Sequence, residues 1–249
     1  MSDHRIAEWL ETHGLLLCAF RCRDLPADVA EMIAKALPNS KPPSHNHSAQ
    51  LILLANAGPK FWRHLQSSPL KNQPHPVDTC SLELATEFQS TFLGDSHLVP
   101  LYPTPAGQSH IPLMRLGGIA GWNVPSPLGL GLHPKYGPWS AYRAAWITYS
   151  EQMPENFYQK PLAFKSTPSK ALQQSAELCI ACSAPCSAAC PAHAVTHGEQ
   201  FNVERCDKHR RPETSECHTH CFARIACPIG AEHRYDDSQL VHHMSMRWQ

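Results

Sequence analysis

Eight of the eleven cysteines in the 249-residue chain lie between residues 179 and 227, in two runs that each end in Cys-Pro. The first run is Cys179, Cys182, Cys186 and Cys190, and the second is Cys206, Cys217, Cys221 and Cys227. Eight thiolates are the ligands that two [4Fe–4S] clusters require. The runs therefore predict a metal-binding protein that transfers electrons.

The order of the cysteines also predicts how they divide. In two-cluster ferredoxins the fourth cysteine of each run binds the other cluster, and the following proline turns the chain. This pattern gives set one as Cys179, Cys182, Cys186 and Cys227. It gives set two as Cys190, Cys206, Cys217 and Cys221. The first run carries one residue more than the bacterial pattern between its second and third cysteines, and Pro185 is the extra residue.

Other uses of these cysteines stay open. Two structural zinc sites would also take four thiolates each, although zinc ligands usually come as paired Cys-x₂-Cys. Disulfides are not expected, because the polar start of the chain shows no secretory signal. The histidines at 209, 218 and 220 are interpreted as solvated groups or neighbours of the ligands, and Cys18 and Cys80 as buried core thiols.

The elements that must position these cysteines differ along the chain. Helical and extended apolar patterns alternate over residues 1–155, which predicts an α+β domain. A polar connector follows over 156–170, and the cysteine-rich domain occupies 171–235. That domain has little apolar periodicity, so metal binding would supply part of its folding free energy. Residues 236–249 are a polar tail.

The composition argues against two classes of binding partner. Lys and Arg number 21, as do Asp and Glu, so no basic excess indicates nucleic-acid binding. No apolar run has the length of a membrane span, so neither a membrane nor nucleic acid is expected as a partner. The expected location is the cytoplasm.

A second motif precedes the cysteines. Residues 129–143 read Gly-Leu-Gly-Leu-His-Pro-Lys-Tyr-Gly-Pro-Trp-Ser-Ala-Tyr-Arg. The pattern predicts a strand over 128–133, a turn over 134–138 in which Gly137 takes a positive φ, and a returning strand over 139–150. On spacing alone, Arg143 is an exposed charge of a plain hairpin.

This motif resembles the cobalamin-processing decyanase/dealkylase family of methylmalonic aciduria type C. Pro76-Val-Asp-Thr-Cys80 and the segment from Leu51 to Ser67 are similar to that family as well. The resemblance implies a flavin-reductase/nitroreductase-like fold that binds cobalamin with its lower base displaced. It implies cofactor contacts at Ile111, Pro112, Leu113, Met114, Gly131, His133, Tyr142 and Arg143. Gly118 stands where that family has a histidine.

The same stretch, with Gly117 to Asn123, is also similar to epoxyqueuosine reductases and reductive dehalogenases, which join a corrinoid domain to a two-cluster ferredoxin domain. The resemblance implies a corrinoid-binding α+β domain followed by a small bacterial-ferredoxin-like domain with two [4Fe–4S] clusters. The expected function is reduction of bound cobalamin, with a low-potential donor such as flavodoxin, ferredoxin or a flavin reductase. Alternatives are cob(I)alamin-dependent reduction of an organic substrate, and a non-catalytic electron carrier or cobalamin chaperone. A homodimer is a further expectation, since the related families include dimers.

Overall fold

The computed structural model describes residues 2–37, 49–94, 98–103, 111–158 and 178–245, so the predicted connector beyond residue 158 lies outside the described residues. The strands are β1 (Leu15–Arg21), β2 (Gln50–Ala57), β3 (Val99–Tyr102) and β4 (Ser140–Thr148). The first five helices are α1 (Ser2–His13), α2 (Ala27–Ala36), α3 (Lys60–Ser67), α4 (Pro76–Phe92) and α5 (Leu113–Ile119). The later helices are α6 (Pro185–Ala188), α7 (Val203–Arg210), α8 (Phe222–Ile225) and α9 (Asp237–Ser245). The prediction of a mixed helix-and-sheet fold is confirmed.

Contacts between residues divide the chain into two units. Unit one comprises Met1–Ala120 and Ala141–Lys165, and unit two comprises Gly121–Ser140 and Ser166–Gln249. Residues 121–140, which the sequence prediction assigns to the first domain, therefore group with the cysteine-rich part. The predicted functional domains with boundaries at 155 and 171 stay a prediction.

Unit one is built on a four-stranded sheet of order β1-β2-β4-β3. Strand β1 pairs antiparallel with β2, from Leu15 opposite Asn56 to Arg21 opposite Gln50. Strand β3 pairs antiparallel with β4. Strand β2 is buried along nearly all its length, which agrees with its continuous apolar sequence and its interior place in the sheet.

Helix α4 closes one side of this core. Pro76 occupies its first turn, where a missing N–H removes no helical hydrogen bond. Its buried Gln89 links the helix to the sheet, because Trp146 Nε1 donates to Gln89 Oε1 at 3.0 Å and Gln89 Nε2 donates to Thr148 Oγ1 at 3.0 Å. These two bonds pair the buried polar groups between α4 and β4.

Unit two is formed by short helices and turns around a small apolar core. Residues 121–140 supply Val124, Leu128 and Leu132, which pack with Ala194, Val195, Ala223 and the cysteines at 190 and 227. The cysteine-rich segment thus obtains apolar partners from a distant, earlier part of the chain.

Two expectations for unit two need correction. The predicted strand over 128–133 is absent from the described structure, where residues 128–131 form turns and only Leu132 and His133 make isolated bridges, to Val124 and Gly137. Gly129 has a positive φ of 68°, which bends the chain out of an extended path. The polar tail, to which the sequence assigned no structure, contains helix α9, whose Leu240 is buried against Trp139 and Tyr235.

Candidate functional site

The four cysteines of set one meet around one hollow in unit two. Its lining includes Cys179, Cys182, Cys186 and Cys227, with the apolar side chains of Leu128, Leu132, Leu178 and Ile229 around them. Cys227 comes from the end of the second run, so the structure brings it to the three cysteines of the first run as the ferredoxin pattern requires. Apolar side chains thus line part of the hollow, and of the four cysteines Cys227 is buried while the other three are partly exposed.

The electrostatics of set one reflect the same proximity. Burial raises the pKa of the Cys179 thiol first, and the neighbouring charges of Cys227, Cys182 and Cys186 raise it further. Burial also raises the pKa of Cys227, to which the charges of Cys186 and Cys182 add. Thiols that lie this close together are suited to a bound cation, since metal binding reverses the repulsion between thiolates.

Set two shows an equivalent pattern among its own members. Burial raises the pKa of Cys217 to about 11, and the charges of Cys221 and Cys190 are the next causes. Burial and the same two neighbours raise the pKa of Cys206. The interactions of Cys206, Cys217 and Cys221 with other cysteines therefore stay within set two. The sets touch where Cys190 acts on Cys186, four residues before it.

Local structure explains how the first run presents its thiols. Ala184 adopts a left-handed conformation with φ 53°, and Pro185 then begins α6, which carries Cys186. The extra residue of the run is thus accommodated by a reversal and a one-turn helix. The Ala194 N–H donates to Cys190 Sγ at 3.4 Å, so backbone already bonds to one of the sulfurs.

Capping residues position the second run. Asn202 Oδ1 accepts from the Arg205 N–H at 2.9 Å and begins α7, which carries Cys206. Ser215 Oγ accepts from the Cys217 N–H at 3.2 Å and begins the 3₁₀ turn Glu216–His218. Both caps lie next to a cysteine, so each fixes the backbone from which a thiol projects.

The turn of the sequence motif is attached to the loop that follows Cys227. His133 and Gly137 exchange two backbone hydrogen bonds, at 2.9 and 2.7 Å, and Gly137 has a φ of 56°, as predicted. A Cβ on Gly137 would lie 1.9 Å from the Ile229 carbonyl oxygen, and a Cβ on Gly230 would lie 2.4 Å from the Tyr136 carbonyl carbon. Two glycines thus allow backbone to meet backbone at this point.

Aromatic and cationic side chains also join the motif turn to the segment around Cys227. The guanidinium of Arg224 donates to the Pro138 carbonyl and lies 5.0 Å from the ring centre of Trp139. The rings of Tyr136 and His233 are 4.6 Å apart. The motif turn is consequently held by residues on both sides of Cys227.

His133 lies in this turn as an uncharged imidazole. Burial lowers its pKa to about 4, and the charges of Lys135 and His233 act in the same direction. Its Nδ1 accepts from the Lys135 and Tyr136 backbone N–H groups, at 3.1 and 3.3 Å. The neutral ring therefore carries its proton on Nε2, which can donate a hydrogen bond.

The other residues predicted to contact a cofactor are divided between the units. Ile111, Pro112, Leu113, Met114, Tyr142 and Arg143 belong to unit one, whereas Gly131 and His133 belong to unit two. Within unit one, Tyr142 packs against α5, the helix that begins at Leu113. A Cβ on Gly117 would lie 1.6 Å from the Tyr142 hydroxyl oxygen, so only glycine leaves room for this side chain.

Arg143 is buried, which corrects the plain-hairpin interpretation of an exposed charge. It is 8% exposed, its Nε donates to Asn56 Oδ1 at 2.7 Å, and its guanidinium lies 5.2 Å from the ring centre of Phe61. These partners come from β2 and α3, far from Arg143 in the sequence. Pairing of this kind offsets the cost of burying the charge.

A wide cleft of about 1130 Å³ opens beside set two. Its lining includes Pro191, Arg205 and Glu216, which are the chain neighbours of Cys190, Cys206 and Cys217, together with the exposed Lys208. The sequence analysis did not identify this cleft. The spacing of Arg205 and Lys208 on one face of a helix is the signal that indicates it.

The remaining three cysteines belong to unit one, whereas both sets belong to unit two. Cys18 and Cys80 are buried in unit one, as predicted, and Cys22 is buried as well. Burial raises the pKa of Cys22 to about 12, so this thiol stays protonated at neutral pH.

The fit of the two sets to iron–sulfur clusters rests on the donor chemistry. Four thiols of set one line one hollow, and in set two the charges of neighbouring cysteines raise the pKa values of Cys206 and Cys217. Among the described residues, no three His, Cys, Asp or Glu side chains are arranged closely enough to hold a single metal ion. This absence applies to a single bound ion such as zinc, which lies about 2.3 Å from each of its thiolate ligands.

Comparisons with known proteins give two similar solved structures. One is a B12-trafficking protein CblC from C. elegans, a human MMACHC homologue, with 13% identity and a TM-score of 0.45, covering 96% of this chain and 88% of that one. The other is epoxyqueuosine reductase from Streptococcus thermophilus, with 14% identity and a TM-score of 0.45, covering 92% of this chain and 66% of that one. No family model and no curated protein matches the chain. At these identities and TM-scores the likenesses carry no conclusion about function.

None of the described helices combines the length and the apolar character needed to cross a membrane.

Proposed function

We propose that the protein is an iron–sulfur, cobalamin-binding reductase that passes electrons through two [4Fe–4S] clusters to the cobalt of a bound corrinoid. The observation that supports the proposal is the meeting of four thiols, one of them from the second run, around one hollow. Cys227 shares a hollow with the cysteines at 179, 182 and 186, although 41 residues separate it from Cys186. The motif over residues 129–143 and its family resemblance supply the corrinoid part of the proposal.

The protein's own groups would hold and shield the clusters. The cysteines of each set would bind as thiolates and release their protons when the cluster assembles. Apolar side chains such as Leu132 and Ile229 would limit water, and backbone N–H groups such as that of Ala194 would donate to sulfur. Clusters held in this way supply reversible one-electron transfer at low potential.

The motif turn would present its groups to the corrinoid. The neutral His133 would offer an Nε2–H donor without adding a positive charge beside the cobalt. Ile111, Pro112, Leu113, Met114, Gly131, Tyr142 and Arg143 are the further contacts that the resemblance implies. A corrinoid held by these residues would supply a cobalt centre that accepts electrons.

The expected partners are a low-potential donor, such as flavodoxin, ferredoxin or a flavin reductase, and cobalamin itself. We place the entry of electrons at the cleft beside set two, because Arg205 and Lys208 face solvent next to Cys206. A homodimer and a cytoplasmic location complete the proposal.

The test is anaerobic reconstitution with iron and sulfide, followed by optical spectra with and without cobalamin. We expect cluster absorbance, a base-off shift of bound cobalamin, and reduction of the cobalt after dithionite is added. A Cys182→Ala variant should lose part of the cluster absorbance, whereas Cys18→Ala, which alters a buried thiol outside both sets, should keep all of it. Absence of the base-off shift would overturn the cobalamin function.

The same experiment distinguishes the alternatives. Cobalamin binding without electron transfer from reduced clusters would indicate a chaperone. Clusters without cobalamin binding would indicate an electron carrier. Turnover of an organic substrate by the reduced corrinoid form would indicate an enzyme of the epoxyqueuosine-reductase type.

A further inference from the structure

Gln239 is a buried polar residue whose side-chain nitrogen and oxygen both lack a partner among the described residues. Gln239 is 0% exposed, and neither its amide nitrogen nor its amide oxygen has a hydrogen-bond partner among the described residues. Burying an amide without a partner costs the hydrogen bonds that it would make with water. Such groups are rare in native proteins, and a partner outside the polypeptide is one explanation for them.

Helix α9 places this amide against the elements that carry set two. The helix contacts the turn Glu216–His218, which contains Cys217. At its beginning, Asp237 Oδ1 pairs with His220 Nε2 at 2.8 Å, one residue before Cys221. At its end, the Met244 carbonyl accepts from the Arg210 guanidinium, and Arg210 ends the helix that carries Cys206. Helix α9 is therefore attached to the carriers of three set-two cysteines.

The direction of Gln239 follows from its helical position. Asp237 and Ser238 are exposed, whereas Gln239 and Leu240 are buried, so the helix turns this face inward. Leu240 packs against Trp139 and Tyr235. Successive residues of an α-helix are about 100° apart, so Gln239 faces a different part of the interior from Leu240.

A second buried nitrogen on a neighbouring element points the same way. The Nε2 atom of His209 is buried and has no hydrogen-bond partner among the described residues. His209 follows Cys206 by three residues on α7, and α7 is the helix to which the end of α9 is bonded. Two unpaired nitrogens thus lie on the elements around set two.

We propose that the Gln239 amide donates an N–H hydrogen bond to a sulfur of the cluster held by Cys190, Cys206, Cys217 and Cys221. The inference rests on the proposed function and assigns a positioning and tuning residue to one of the two clusters. A cluster that accepts one electron gains one negative charge, so an N–H donor stabilises the reduced form more than the oxidised form. The amide keeps its proton, and only the electron moves.

The experiment is a redox titration of the reconstituted full-length protein, with dithionite as the one-electron reductant and electron paramagnetic resonance as the readout. Gln239→Leu removes the donor at similar volume, and Gln239→Glu replaces it with an acceptor. Leu240→Met is the matched control, because it alters the neighbouring buried residue without touching any N–H group. Iron and sulfide content are measured on every variant.

We expect Gln239→Leu to shift the midpoint potential of one cluster to a more negative value and to leave the other unchanged. Gln239→Glu should shift the same cluster further, and Leu240→Met should shift neither. Unchanged potentials in a Gln239→Leu protein with its full iron content would overturn the inference, as would an equal shift of both clusters. Failure of the unaltered protein to assemble clusters would instead refute the proposed function.

A second measurement does not depend on how a variant folds. In unaltered protein labelled with ¹⁵N only in glutamine side chains, pulsed resonance of the reduced clusters should detect a ¹⁵N coupling at one cluster. Absence of that coupling would overturn the inference.

Discussion

Replacing Gly137 by alanine tests whether the motif turn and the Cys227 loop form one structural element. The alanine would have to keep a φ of 56°, which costs a non-glycine residue about 1–2 kcal/mol. Its Cβ would also lie 1.9 Å from the Ile229 carbonyl oxygen, whereas Cβ atoms essentially never approach other atoms closer than 3.0 Å. The two backbones must therefore separate, and forcing atoms into packed structure typically costs about 1–3 kcal/mol more.

Gly198→Ala is the matched control. Gly198 also belongs to unit two and has a φ of 81°, but a Cβ there meets nothing within 4 Å. This variant isolates the cost of the left-handed backbone. Gly137→Ala should therefore be less stable than Gly198→Ala by about 1–3 kcal/mol, the part that overpacking contributes.

The assay combines denaturant unfolding with iron and sulfide analysis of the reconstituted proteins. Because Ile229 follows Cys227 by two residues, the displacement should reach set one, and Gly137→Ala should lose about half of the iron that two four-iron clusters hold. Gly198→Ala should keep its iron. If the two variants unfold alike and retain equal iron, the motif turn does not support Cys227, and the reasoning from backbone contact is refuted.

Three further outcomes follow from the charges of the structure. Because the pKa of His133 is lowered to about 4 in the folded protein, the unfolded chain takes up this proton first as the pH falls from about 6.5. The free energy of unfolding should therefore fall by up to about 3 kcal/mol by pH 4, and the partial exposure of the ring makes this loss smaller. Denaturant titrations at several pH values should show a flatter pH dependence for His133→Gln. Arg143→Met should lower the unfolding free energy by about 1–3 kcal/mol, because buried Asn56 Oδ1 loses a charged donor, and an unchanged thermal midpoint would contradict the pairing. Arg205→Glu combined with Lys208→Glu should slow reduction by an acidic flavodoxin at least about tenfold at low salt, with reduction by dithionite unchanged, and equal flavodoxin rates would exclude the cleft as the entry site.

Much of the fold follows from local patterns. Helices and strands alternate in unit one, as the alternating helical and extended apolar patterns over residues 1–155 predict. These elements are set by residues within one or two turns of each other, so a window of sequence contains the relevant information. The predicted strand over 128–133 failed, because Gly129 bends a segment that apolar content alone makes look extended.

The candidate site was likewise predictable from the sequence in part. The ferredoxin pattern anticipated that Cys227 would join Cys179, Cys182 and Cys186, and the structure brings these four to one hollow. The role of all eight thiols as ligands stays a prediction. The partner of Arg143 was beyond sequence reasoning, because Asn56 lies 87 residues earlier.

The sequence by itself determined the kinds of chemistry that this protein can offer, since eight thiols at short spacings are a property of the chain. Only the tertiary structure decided that residues 121–140 supply apolar partners to the cysteine loops, that Gly137 meets Ile229, and that Gln239 is buried with no hydrogen-bond partner among the described residues. The physical reason is that spacing along a chain constrains nearby residues, whereas burial and backbone contact depend on segments brought together from distant positions.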